Sequence, residues 1–500
     1  MKYNRKKNKR EGTSIIPVST SLEKNVTYFE NKFSHTADLM IRDLRYNGKP
    51  GKLLYLSSLT DEAKVQTFVI EPLLLMPTSS IEDATPVITI QKKCNLVDGE
   101  QALTDGYCIL FTEEEAFFYT LDTYSPVKRS IEEPGNEQVI RGSHEGFIEH
   151  MKTNIHLIRK RINHHSLTIR NFVVGELSNT KISMVYIDGL ANQTLIDEVE
   201  KRIKAIHVDS VLTPGNIEEF IEDTALSPFP QLLNTERPDR VVGNLLEGRI
   251  GILMEGSPTV LVAPVTFFTF YQSPDDYNTR SMVGSFFRLI RVASFIIAIL
   301  VPAFYISLIS FHFEVIPIDM IFAVQAGLIN VPFPPFIEAV FMQLTLELLK
   351  EAGTRLPRPI APTIGIVGGL VIGNAVVQAN LVSNIMIVVI GITAIASFAV
   401  PSNEMSTALR ILGFPFMIAA ATFGFLGIVF ALMLLFMHLS KLESFGTPYF
   451  SPFAPFQWRD VKDTIIRLPS WLMNKRPKGP HPKQANQQTT TRGWRRGQRS

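Results

Sequence analysis

The chain has 500 residues, 46% of them hydrophobic and 19% charged. That balance excludes a disordered chain, and two cysteines, Cys94 and Cys108, exclude a disulfide scaffold. The formal net charge is +2 but unevenly placed. Residues 1–10 carry six basic side chains (Lys2, Arg5, Lys6, Lys7, Lys9, Arg10) and no acid. Residues 471–500 carry eight (Lys475, Arg476, Lys478, Lys483, Arg492, Arg495, Arg496, Arg499), again with no acid. The body between them is acidic. Such ends suit cytoplasmic tails beside anionic lipid and suit solvated tails equally. Only Trp494 interleaves with them, so no nucleic-acid partner is expected.

The expected order is a basic disordered tail over 1–24, an α/β subdomain over 25–140 and a second over 141–280. No apolar stretch follows the basic start where a signal peptide needs one, so this N-terminal region is expected in the cytoplasm with reduced thiols. Residues 52–56 read as a strand and 61–70 as a helix stopped by Pro72. Residues 182–187 repeat the strand, Asp188-Gly189 the turn and 194–206 the helix, with Leu195, Val199, Ile203 and Ile206 on one face. Residues 249–262 read as two strands around Met254-Glu255-Gly256-Ser257. Alternation of strands and helices predicts α/β.

A helical polytopic membrane domain is expected over 281–440. Residues 292–311 are uncharged and long enough to cross roughly 30 Å of hydrocarbon, with Pro302 predicted to kink them. Residues 359–403 are uncharged over twice that length and predict two crossings, parted near Gln378–Asn384. Residues 411–437 make a fourth. Segment 316–349 is broken by Val331-Pro332-Phe333-Pro334-Pro335 and carries Asp319, Glu338 and Glu347, which suits a re-entrant or interfacial hairpin. Basic residues favour the same side for the 350–358 loop and for the C-terminus, which four spans cannot satisfy together. The even number is retained because both ends look cytoplasmic. A cytoplasmic segment over 441–477 and a second basic disordered tail over 478–500 complete the chain.

Gly365, Gly369 and Gly373 recur every four residues and offer a face for close helix approach. Val367, Val371, Asn374 and Gln378 form a neighbouring stripe. That stripe suits either a pore lining or contact with a fixed neighbour. Glu338 and Glu347 are nine residues apart and point to opposite helix faces. Carboxylates at membrane depth are costly, so headgroup level suits them and an ion-relevant role stays open.

Catalytic chemistry is scarce. There is no phosphate-binding Gly-Lys loop and no dinucleotide fingerprint. His164-His165 lacks a companion cluster, and adjacent rings are expected to point apart. The two cysteines fit no metal spacing. No enzyme, metal or cofactor is expected.

Several stretches resemble a known family. They are Ser143-His144-Glu145-Gly146-Phe147, Asn154-Ile155, Arg159-Lys160-Arg161-Ile162 and Ile217-Glu218-Glu219-Phe220-Ile221-Glu222-Asp223. Ser227-Pro228-Phe229-Pro230, Asn234-Thr235-Glu236-Arg237-Pro238-Asp239-Arg240 and Leu246-Glu247-Gly248-Arg249 belong with them. So do Phe270-Tyr271-Gln272-Ser273-Pro274-Asp275-Asp276-Tyr277, Val331-Pro332-Phe333-Pro334, Arg355-Leu356-Pro357-Arg358-Pro359, Asp463-Thr464 with Arg467, and Arg476-Pro477. Together they resemble the A-subunit family of bacterial spore germinant receptors, the GerA type, over about 25–477. His144 departs from the basic residue usual there. The resemblance implies the spore inner membrane, B and C subunits as partners, self-association into a ring-like oligomer and release of monovalent cations. A stage V sporulation paralogue shares the architecture. A solute transporter acting alone is the rival class; it should show matching broken helices in two halves, and only 316–349 is broken.

Overall fold

The computed structural model describes residues 15–46, 48–75, 80–87, 89–125, 133–355, 369, 373–458 and 460–488. Its N-terminal part holds two five-stranded sheets of one topology. The first unit runs α1 (Leu22–Lys32), β1 (Leu39–Tyr46), β2 (Lys49–Leu56), a helical stretch over Glu62–Leu75, β3 (Ile90–Lys93), α2 (Leu96–Thr104), β4 (Tyr107–Thr112) and β5 (Phe118–Asp122). The strand order is β1-β2-β4-β5-β3. Pleating sends alternate residues to opposite faces. Leu53, Tyr55, Cys108 and Leu110 meet the 62–75 helical stretch, whereas Leu54, Leu56, Ile109 and Phe111 meet α1 and α2. The chain stays helical through Pro72 to Leu75, because a π-helical turn over Val65–Ile70 ends just before it. Pro72 thus stands in the first turn of a new α segment, where its missing N–H costs nothing.

The second unit repeats the plan with α3 (Met151–Arg161), β6 (Leu167–Val174), β7 (Thr180–Ile187), α4 (Gln193–Lys204), α5 (Pro214–Ile221), β8 (Leu233–Thr235), α6 (Pro238–Leu246), β9 (Ile250–Met254) and β10 (Val260–Ala263). Its order, β6-β7-β9-β10-β8, matches the first. Every neighbouring pair in both sheets is antiparallel. Asn192 caps α4 by accepting the Thr194 N–H at 3.1 Å. Leu195, Val199 and Ile203 pack on one face with Ile182, Met184 and Ile252. The other face is apolar too, and its cluster continues without a break into the helices that follow.

Those helices are α7 (Pro274–Asn278), α8 (Ser281–Ser310), α9 (Ile318–Leu328), α10 (Pro335–Arg355), α11 (Gly373–Gln378), α12 (Asn384–Phe398) and α13 (Asn403–Lys441). Two, α8 and α13, are long and apolar enough to cross a membrane; α12 is apolar but has 15 residues. α8 starts eleven residues before the uncharged stretch and carries Arg288 and Arg291 inside it, running unbroken through Pro302. Segment 316–349 resolves into two helices, and α10 is 21 residues long. Glu338 of α10 meets the start of α12, and Lys350 lies 5.3 Å over the Phe398 ring at its end, so α10 and α12 run parallel.

The 411–437 stretch is not one straight span. Gly424 breaks α13 with φ 60 and ψ −140, a region open essentially to glycine alone. The chain turns so tightly that Gly427 abuts the Ala419 carbonyl. Phe311 and His312, at the far end of α8, close over Gly424, and the His312 ring stacks on Phe425 at 4.5 Å. Both ends of α13 return to the second sheet unit: His438 shares a 2.9 Å hydrogen bond with Ser227, and Glu404 lies beside Asn234.

The segment after α13 straps the two parts together. Tyr449 donates its hydroxyl to the Pro230 carbonyl at 2.8 Å, and Ser444 to that of Gln231 at 2.8 Å. Beyond it, the Lys483 N–H reaches the Leu190 carbonyl at 2.9 Å. Residues 478–488, expected as tail, are therefore docked on the second unit. At the other end Val18 is buried and the Ile16 N–H meets Asn95 at 3.0 Å, so the ordered chain begins before residue 25.

Candidate functional site

Three arginine-centred networks weld the parts. In the first, Arg159 of α3, 2% exposed, forks onto Asp38 of the first unit at 2.7 and 2.8 Å. Ser58 and Thr36 donate hydroxyls to the same carboxylate at 2.6 and 2.7 Å. Burial alone would raise the Asp38 carboxyl, but the guanidinium and these hydroxyls hold it below the usual carboxylate range.

The second network pins residues 133–147 to the second unit. Buried Arg237 grips Asp239 at 2.7 and 3.0 Å and donates to the Glu137 and Ser143 carbonyls. Arg240 pairs with Glu137 and reaches the carbonyls of Thr269 and Gln272.

The third lies where α8 leaves the second sheet unit. Buried Asp276 of α7 receives Arg288 at 3.1 Å and Arg291 through two bonds of 2.9 Å. Arg288 also pairs with Asp463 at 3.0 Å, and Tyr277 donates its hydroxyl to the same carboxylate at 3.0 Å. Arg288 and Arg467 both lie over the Tyr277 ring, at 5.5 and 5.3 Å. The close approach needs Gly284: a Cβ there would sit 2.7 Å from the Asp276 carbonyl oxygen. Thus the segment after α13 is locked to the start of α8.

Inside the bundle, Glu338 is fully buried and accepts the Ser383 N–H at 2.7 Å. Ser383 caps α12, and its hydroxyl lies 3.3 Å from that of Tyr305 on α8. Glu347 pairs with buried Arg410 of α13 at 2.7 Å, and Arg410 also donates to Ser406 at 2.9 Å. Glu338 and Glu347 of α10 therefore engage different helices. Asp319 is exposed in the first turn of α9. Gly365, Val367 and Val371 lie outside the described residues. At Gly369 and Gly373 an added Cβ would meet nothing within 4 Å among the described residues. Asn374 and Gln378 are exposed on α11.

The His164 and His165 rings do not point apart: their centroids are 4.2 Å from each other. They stand in a turn after α3, where strand alternation does not apply. Burial first, then neighbouring His164 and Lys32, pushes His165 down to about 4. Among the described residues no group of three metal-binding side chains occurs. Cys94 is exposed, and burial pushes the Cys108 thiol up to about 12.

Sequence reasoning named Asp276 and Asp463 only within the family blocks, paired neither with Arg288, and did not single out Arg410 or Gly424. The signal for the first four was opposite charges bordering apolar runs. Gly424 carried no signal, since glycine is common in membrane helices.

Two antiparallel sheet units of one topology, welded to an apolar helical bundle, define the class of protein. The chain belongs to the Bacillus/Clostridium GerA spore germination protein family, whose profile matches residues 27–479. Spore germination protein B1 of Bacillus subtilis (strain 168) is 38% identical over 476 residues, covering 92% of this chain and 98% of that protein. Spore germination protein KA of the same organism is 37% identical over 475 residues, covering 92% and 87%. The crystal structure of the N-terminal domain of the A subunit of the Bacillus megaterium spore germinant receptor GerK3 is similar at 27% identity, covering 51% of this chain and 98% of that one, with a TM-score of 0.40.

Proposed function

We propose that this chain is an A subunit of a nutrient germinant receptor in the spore inner membrane, self-associating to form or gate a pathway for monovalent cations. The family match across residues 27–479 supports the germination role. The observation that carries the pathway is the exposure of Asn374 and Gln378 beside Gly369 and Gly373, which meet no close neighbour among the described residues, amid apolar helices. Amides facing lipid are unfavourable, and a glycine face that meets no neighbour among the described residues is suited to a second copy. B and C subunits are the further partners this reading implies.

The topology supports an even number of crossings. α8 leaves from the soluble unit and α13 ends against it, so both lie on one face. α10 and α12 run parallel, which requires one return crossing between them; the uncharged 359–378 stretch is long enough for it. Counting α8, α10, that return, α12 and the two limbs of α13 gives about six crossings; at about 1.5 Å per residue the 21 residues of α10 reach about 30 Å, whereas the 15 of α12 reach about 22 Å. Both termini then face the spore core.

Thallium(I) flux into liposomes holding the purified chain, alone and with its B and C partners plus nutrient, tests the reading. Flux is expected in the assembled receptor on nutrient addition. A receptor that binds nutrient and stays impermeable overturns it.

A further inference from the structure

Glu338 is a carboxylate in an apolar bundle that the network of arginines does not reach. Its side chain is 0% exposed. One oxygen, Oε2, accepts the Ser383 N–H; the other, Oε1, has no hydrogen-bond partner among the described residues. No Lys, Arg or His forms an ion pair with it among those residues. Arg410 of α13, itself buried, is engaged by Glu347 instead. α12 carries no ionisable side chain at all. A lone buried carboxylate is costly without a compensating charge.

Two further oxygens converge there. Ser383 Oγ belongs to the residue whose N–H binds Glu338, and Tyr305 OH lies 3.3 Å from that Oγ. Ser383 is 1% and Tyr305 6% exposed. Three helices, α8, α10 and the start of α12, thus bring one carboxylate and two hydroxyls together. All-oxygen donors select hard cations. A single negative charge matches a single positive one and undercharges a site for a divalent ion.

We infer that Glu338, Tyr305 and Ser383 form a binding site for a monovalent alkali cation inside the bundle, with Glu338 Oε1 as its charged ligand. The inference rests on the proposed cation pathway and gives it a specific station, just after the break that follows Gln378.

The test is the melting temperature of the full-length protein in detergent, titrated with KCl or NaCl against N-methylglucamine chloride at constant ionic strength. The wild type is expected to melt several degrees higher in one alkali cation. Glu338→Gln keeps an acceptor for the Ser383 N–H but loses the charge, and its cation response should vanish. Tyr305→Phe should weaken the apparent affinity about ten-fold, and it decides the matter if Glu338→Gln does not melt cooperatively. A wild type indifferent to alkali cations overturns the site. So does stabilisation by acid alone, or an unchanged response in both variants. Thallium flux separates the two ideas: a cation-dependent melt without flux refutes the pathway and leaves the site, whereas flux without a cation-dependent melt refutes the site.

Discussion

At the scale of single residues, burial sets what each charge can do. Arg159 and Asp38 are nearly inaccessible and satisfy one another across the two sheet units. Removing one leaves the other charged and buried, which costs about 3–5 kcal/mol. Arg159→Met should therefore lower the denaturation midpoint strongly, and adding Asp38→Asn should recover part of the loss; equal stability of wild type and Arg159→Met would contradict the latch. His165 supplies a pH dependence. The unfolded chain takes up a proton near 6.5, while the folded imidazole resists it down to about 4. Between those values the unfolded state binds more protons, so stability is complete above 6.5 and drains away as pH falls toward 4. The melting temperature should drop from pH 7.5 to pH 5, and His165→Gln should flatten that slope. Such residues were only partly legible. The family block quoted Arg159, yet nothing in the sequence paired it with Asp38, 121 positions away.

At the scale of elements, local pattern and tertiary override are separable. The strands over 182–187 and 249–262 and the helix over 194–206 emerged with boundaries shifted by two residues or fewer, because their side-chain periods match their burial. Helix 61–70 overran Pro72, since a π turn reset the hydrogen-bond register. α13 departed furthest, because one glycine reverses an otherwise uniform apolar run. Gly424→Ala forces a side chain into a glycine-only region against His312 Nε2 at 3.0 Å, costing about 1–3 kcal/mol. Lower yield of folded protein and a reduced melting temperature are expected; wild-type stability would argue that the limbs do not reverse there. The stripe near α11 carries the gating prediction. Val371→Ala should widen an apolar constriction and leak cations without nutrient, read as potassium loss from dormant spores. Gly369→Leu should block assembly and yield spores that do not germinate. A normal leak rate in Val371→Ala, with protein level and assembly confirmed, would remove the pore assignment.

At the scale of the whole molecule, the welds decide the topology. The Arg288–Asp463 pair and the Ser227–His438 bond join segments 175 and 211 positions apart, so the N-terminal unit and the C-terminal strap share one side of the bundle. Single cysteines placed at positions 5 and 490 in a Cys94→Ser, Cys108→Ser background should escape an impermeant reagent outside sealed vesicles; labelling of either would sink the even count. Much of this was readable beforehand. Charge-free runs marked the bundle, side-chain periods marked the repeated strand–helix units, and quoted blocks marked the family, because each depends on neighbours within a few turns of chain. What the sequence by itself could not determine is which distant charges meet. The duplicated strand order, the fold-back at Gly424, the strap after α13 and the burial of Glu338 against Ser383 come from contacts between remote segments. Pattern within a window holds no record of those contacts; only close packing decides which buried charge is answered and which is left with an open side.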